Sequence, residues 1–197
     1  MTQNTTFPEL ALLTLKDPAS AAEIVMGWQL SKEAIWTSIA LVSVIATILA
    51  TLSDMMVPVP PPLDAFMSNP LVYLLIAAGG FVATVHALYW TGRMMGGRGA
   101  VEDLMALLIW LQALRAAGQV AVLVCLAIAP VLASFLVLFI AVATLWVFLN
   151  FISIGLKLNS LLRAFVVLFV GAAALMIGVS FFLSLIGVSA VGVPANV

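Results

Sequence analysis

LMALLIWLQALRAAGQVAVLVCLAIAPVLASFLVLFIAVATLWVFLNFISI, residues 104–154, is the stretch that decides the architecture. As a single helix it would be about 76 Å long at about 1.5 Å per residue, more than twice the ~30 Å hydrocarbon core of a bilayer. The chain must turn back once within it, and Ala129-Pro130 is the place. Proline has no amide donor and disfavours helix at the residue before it. The stretch therefore predicts two spanning helices, 104–129 and 131–154, joined as a tight hairpin.

Outward from this hairpin lie three more windows of about 20 mostly apolar residues, the length that crosses a bilayer: 35–52, 71–92 and 161–186. Their boundaries carry ordinary punctuation. Ser68-Asn69-Pro70 reads as an N-cap with proline at the first helical position, Gly155 closes the fourth window, and Asn159-Ser160 can cap the fifth. The chain as a whole agrees: of 197 residues, 65% are hydrophobic and 8% charged, and the mean hydropathy is +1.29. Soluble domains are about 25% charged, so a water-facing globule is excluded, as is a disordered chain. One cysteine, Cys125, rules out a disulfide scaffold, and a net charge of −1 offers no field for nucleic acid. The fold class expected is all-α: a polytopic membrane protein, a bundle of five transmembrane helices behind an N-terminal cytoplasmic amphipathic helix.

Basic residues give the orientation, because cytoplasmic loops retain lysine and arginine. Lys16 and Lys32 precede the first window, Arg93 and Arg98 lie in the second connection, and Lys157 and Arg163 flank the fourth. The first connection, 53–70, holds Asp54 and Asp64 but no cation, and the turn at Pro130 is uncharged. Six of the seven cations thus share one side, Arg115 being inside a window. Glu9, Asp17, Glu23, Glu33, Glu102 and Asp103 lie on that side too, but acids weigh little in this rule. An odd number of crossings follows. The division expected is a cytoplasmic segment 1–32, a membrane domain 33–187 and a non-cytoplasmic tail 188–197. The N terminus has no basic n-region and does not read as a signal peptide.

Residues 7–30, FPELALLTLKDPASAAEIVMGWQL, contain a helix start at Asp17-Pro18, after which Ala21, Ile24, Val25 and Trp28 share one face. That face meets either the membrane interface, with Trp28 at headgroup level, or the underside of the bundle. Pro58 to Pro62 favour an extended spacer, or a docking strip for a proline-reading partner. In MMGGRGAVED, glycines surround Arg98. Without a preceding strand or a Walker lysine this is no nucleotide loop, and a tight turn beside anionic headgroups is expected. Trp28, Lys32, Arg93 and Arg98 are the candidate headgroup contacts.

Arg115 needs explaining. It stands mid-window, where an arginine costs on the order of 2.5–3.5 kcal/mol on insertion scales. Gln112, Arg115 and Gln119 fall within about 60° of one another at 100° per residue and form one polar stripe. No acid lies inside any of the five windows, so Arg115 must use glutamine or backbone carbonyls, Asn150, water or a lipid phosphate. It is either structural and lipid-contacting or a site for an anionic ligand. His86 and Asn150 sit at similar depth and are candidate partners. Nothing amounts to a catalytic set: His86 is the one candidate base, Gly178-Val179-Ser180 falls short of a nucleophile motif, and the windows hold no carboxylate pair or acidic relay. No cofactor or metal is expected, since a lone histidine has no co-ligands. Gly171, Ala172, Ala173, Ala174 and Gly178 favour close packing of the fifth helix.

The Asp17-Pro18 segment leading into SKEAIWTSIALVSVIATIL, the GGRG turn, IWLQALR, the proline-marked hairpin and LKLNSLLRAFVVLFVG together resemble bacterial members of the Yip domain family of five-span membrane proteins, the Ypt/Rab-interacting type. The likeness runs from about Leu10 to Gly187. It implies an inner-membrane protein with a cytoplasmic N terminus and supplies no catalytic residues. The eukaryotic relatives' binding of small GTPases does not carry over, because no motif for it stands in the short N-terminal segment. The expected role is non-enzymatic, with membrane lipids, another integral membrane protein or further copies of the chain as partners. The alternative is a small transporter or channel subunit holding an anionic substrate at Arg115, Gln112 and Gln119.

Overall fold

The computed structural model describes residues 6–58 and 69–185. Among the described residues seven helices follow in chain order: α1 Phe7–Lys16, α2 Pro18–Gly27, α3 Lys32–Met56, α4 Pro70–Met94, α5 Val101–Ile128, α6 Pro130–Gly155 and α7 Leu161–Leu185. The last five are long and apolar enough to span a bilayer. The proline strip beyond Pro58, Asp64 and the tail 188–197 lie outside the described residues.

Local chemistry starts and stops these helices where the punctuation placed them. Asn69 Oδ1 accepts the amides of Leu71 (3.0 Å) and Val72 (3.4 Å) ahead of Pro70. Ser31 Oγ accepts the Ala34 amide at 3.2 Å, and Ser160 Oγ that of Arg163 at 3.4 Å. Each cap satisfies a first-turn donor that has no partner within its own helix. Between α5 and α6 a single residue, Ala129, makes the turn, with Pro130 opening α6. The first spanning helix differs from expectation. It runs to Met56, a turn beyond the apolar window, and so carries Asp54 on helix rather than in a loop.

The five long helices close into a ring. Its order is α3, α5, α6, α7, α4 and back to α3, with α4 also touching α5 across it. The last helix thus returns beside the second, and the first sits between its sequence neighbour α4 and α5. Water does not drive helices together in lipid, so van der Waals fit decides how closely they approach. The fit is concentrated at one end. There lie Ile35 and Ile39 of α3, Val85 and Leu88 of α4, residues 104–111 of α5, Val147, Phe151 and Ile152 of α6, and Ala164 and Val167 of α7, all buried. Of the small residues in α7, Gly171 is buried against Leu88, while Ala172, Ala174 and Gly178 face outward.

Two short helices cover this packed end. The segment before the first span is not one helix but two, broken at Asp17, whose Oδ1 accepts the Ala19 and Ser20 amides at 3.2 Å each. α2 lies against α5 and α6, and α1 reaches α6. Leu10, Thr14, Ala21, Ala22 and Val25 are buried there, so the apolar face of this segment packs onto the bundle. Trp110 of α5 is the anchor. Its Nε1 donates to Thr14 Oγ1 at 3.0 Å, and Thr14 donates in turn to the Leu10 carbonyl at 2.7 Å. The rings of Phe7 and Trp28 meet the Trp110 ring edge-on, at centroid distances of 5.2 and 5.8 Å.

Candidate functional site

About half a turn past Trp110, α5 leaves the packed end and its environment changes. From Gln112 onward one face of the helix borders a cleft of about 710 Å³ enclosed by α3, α4, α5 and α6. Gln112, Arg115 and Gln119 line it together, as the 100° step requires. Ser53 and Asp54 of α3, Tyr73 of α4 and Thr144 of α6 supply the remaining polar groups of the wall, and alanines at 46, 50, 77, 116 and 141 keep the space open. The glycine at 118 lets α6 come close: a Cβ there would stand 3.2 Å from Ile140 Cδ1.

Inside the cleft the polar groups are partly matched. Arg115 Nη1 donates to Gln112 Oε1 at 3.3 Å, and Gln119 Nε2 donates to Ser53 Oγ at 3.5 Å, a link between α5 and α3. Both are long for hydrogen bonds. The Arg115 side chain is exposed within the opening, and among the described residues Gln112 is the side chain it bonds. Asp54 brings a carboxylate to the same walls. The sequence reading put it in the first connection because the apolar window ends at Leu52 while the helix does not; a helix continued by one turn past the window would have placed it here.

The expected pairing of His86 with Asn150 does not occur. His86 Nδ1 contacts the Val82 carbonyl at 2.8 Å, and Asn150 Nδ2 donates to the Trp146 carbonyl at 2.9 Å, so each bonds its own helix four residues back. They share a depth, but α4 and α6 are not neighbours in the ring, with α7 between them on one side and α3 and α5 on the other. Neither lines the cleft around Arg115. Among the described residues no three His, Cys, Asp or Glu side chains gather as metal ligands do.

The arrangement is therefore a membrane protein with one end packed and capped and the other opened by a polar cleft. The family model of the Yip1 domain matches residues 12–182, from within α1 to within α7. The chain belongs to the Yip1 domain family. No curated protein and no solved structure matches it. The Yip1 domain thus includes most of the docked N-terminal segment along with the five long helices, and the protein is an integral membrane protein.

The remaining candidates of this Yip1 domain lie at the packed end. Trp28 is half exposed with its ring on Trp110, and Lys32 is exposed in the first turn of α3. Arg93 is exposed in the last turn of α4. Arg98 projects outward between buried Gly97 and Gly99, and its amide donates to the Leu156 carbonyl at 2.9 Å. The glycines are there for contact: a Cβ on Gly99 would run into the Gly155 carbonyl, and one on Gly97 would stand 2.8 Å from the Gly92 carbonyl. The GGRG turn is thus seated on the turn that follows α6, a contact between the second and fourth connections of the membrane domain.

Proposed function

We propose that this Yip1-domain protein is a non-enzymatic component of the bacterial inner membrane that binds lipid, and that the cleft around Arg115 receives an anionic headgroup or other anionic polar group. Its N terminus is cytoplasmic and its C terminus lies on the far side. The observation that carries the reading is Arg115 itself. It stands exposed in a cleft walled by four spanning helices, held by one long bond to Gln112. A guanidinium at such depth is costly, and an anion in the cleft supplies the charge-assisted bonds that would offset that cost.

The test is purification of the full chain in mild detergent, followed by native mass spectrometry of what stays bound. Wild type is expected to retain anionic lipid, and Arg115→Leu to lose most of it. Wild type and variant carrying the same lipid, or neither carrying any, would overturn the proposal. The capacity of the cleft favours a second reading, a small transporter or channel subunit for an anionic solute. In proteoliposomes that reading requires anion flux that Arg115→Ala abolishes, and wild type without flux removes it.

A further inference from the structure

The seating of the GGRG turn on the turn after α6 has a chemical result at the packed end. Arg98 is brought beside Lys157 and Arg163, and the three border a second cleft, of about 440 Å³, floored by Gly96, Leu158, Asn159 and Ser160. Three of the chain's seven cations therefore converge from two connections far apart in sequence. No carboxylate is among the described residues lining the cleft. All three cationic side chains are exposed and able to turn toward it.

The backbone around them is held in place. Leu158 is buried, and its amide donates to the Ser153 carbonyl at 2.8 Å. The Leu156 carbonyl accepts from Arg98 at 2.9 Å and from Gly99 at 3.3 Å. Lys157 and Asn159 both take left-handed backbone, at φ 54°. The first turn of α7 adds the partial positive charge of its amides to the same space. Like charges lining one cleft repel one another, and an anion bound there neutralises them.

We propose that this cleft binds a phosphoryl group. Several acceptor oxygens around one centre of charge suit two guanidiniums and an ammonium arriving from different sides, and arginine meets phosphate oxygens in pairs. The site stands where α4 and α6 end and α5 and α7 begin, the level of lipid headgroups for helices of this length. An anionic phospholipid and a soluble phosphate share this chemistry. The site is independent of the cleft around Arg115 and uses none of its residues.

The experiment titrates the full chain, in a neutral detergent, with dioctanoyl phosphatidic acid, dioctanoyl phosphatidylcholine and inorganic phosphate, reading affinity from the shift in thermal unfolding and from native mass spectra. Phosphatidic acid is expected to bind more tightly than phosphatidylcholine. The affinity should fall about five-fold in each of Arg98→Gln, Lys157→Asn and Arg163→Gln, and about a hundred-fold in the triple variant. Asparagine is used at 157 because it tolerates left-handed backbone. Lys16→Gln removes an exposed cation at the same end but outside the cleft and should leave affinity unchanged. Each titration is repeated in an Arg115→Leu background, which removes the other anion-binding cleft, so that the loss in the triple variant belongs to this site. Binding of the lipid well above that of inorganic phosphate supports the proposal with a membrane source, and equal binding supports it with a soluble one. No binding of either, an unaffected triple variant, or an equal loss in Lys16→Gln overturns it.

Discussion

Two halves of one helix, α5, live in opposite surroundings. Residues 104–111 are buried one after another, all the way round the helix. From 112 on, the same helix alternates between a wall of a polar cleft and faces turned to lipid, and Arg115, Ala117 and Val120 are exposed. Both stretches are mostly apolar, 104–111 through leucine, methionine, isoleucine and tryptophan and 112–128 through alanine, valine and leucine, so apolarity alone does not say which is buried. What differs is the neighbourhood. The first half is met by α4 and α6 and roofed by α2, and Trp110 takes the edges of two rings and a hydroxyl from the cap. The second half is surrounded by small side chains that do not fill the space between helices. One end of the ring is specified by contact, the other by room.

The largest effect is expected where contact is densest. Trp110→Ala removes the Thr14 bond and both ring contacts, and should cost about 3–5 kcal/mol, the range for deleting a large buried aromatic. Thermal unfolding in detergent measures the loss, and limited proteolysis should find residues 6–30 newly cleavable. Arg115→Leu, one and a half turns on, should leave the unfolding temperature unchanged or raised, because it takes a charge out of the membrane-level wall. Equal losses in both variants would erase the distinction between the halves.

Glycines offer the next contrast. Gly99→Ala sets a methyl against the Gly155 carbonyl and should cost about 3 kcal/mol, since backbone on both sides must move. Gly178→Ala, in the last helix with nothing within 4 Å of the added carbon, should be neutral or stabilising by up to about 1 kcal/mol. Urea or thermal melts of the pair measure the difference.

The smallest effect concerns the cap and acid. The Ser20 hydroxyl and amide hold the Asp17 carboxyl below its usual 3.8, and the Thr6 amide holds Glu9 below 4.5. A carboxyl depressed on folding contributes stability that is present above its unfolded value and lost as pH falls through the folded one. Hydrogen exchange of the α2 amides should therefore quicken as pH drops below about 4, beyond the intrinsic pH trend. Asp17→Asn should exchange without that step, and the α5 amides of residues 104–111 should show none in either protein.

The helices and their joints were legible because length, apolarity and caps are local properties. Ala129-Pro130, Asn69-Pro70, Gly155 and Ser160 all sit where the residues put them. The stripe of Gln112, Arg115 and Gln119 was legible for the same reason, being a matter of angle along one helix. What escaped depends on the order of helices around the ring. Equal depth joined His86 to Asn150 on paper, but helix order keeps them apart. Asp54 was placed in a loop because apolarity stops before hydrogen bonding does. The convergence of Arg98 with Lys157 and Arg163 needs the second and fourth connections to touch, which no periodicity reveals. The amphipathic face after Asp17 was visible, but a pattern of apolar residues does not name the surface that covers it.

The one-residue joint at Ala129 constrains how the protein is made. With so short a tether, α5 has α6 beside it as soon as either is threaded into the bilayer, and α6 is the most apolar of the five candidate spans. The arginine-bearing segment therefore enters as half of a hairpin whose other half draws it in, rather than as a lone helix that must partition on its own merits. A longer linker at that point would remove this assistance before any contact in the finished bundle had changed.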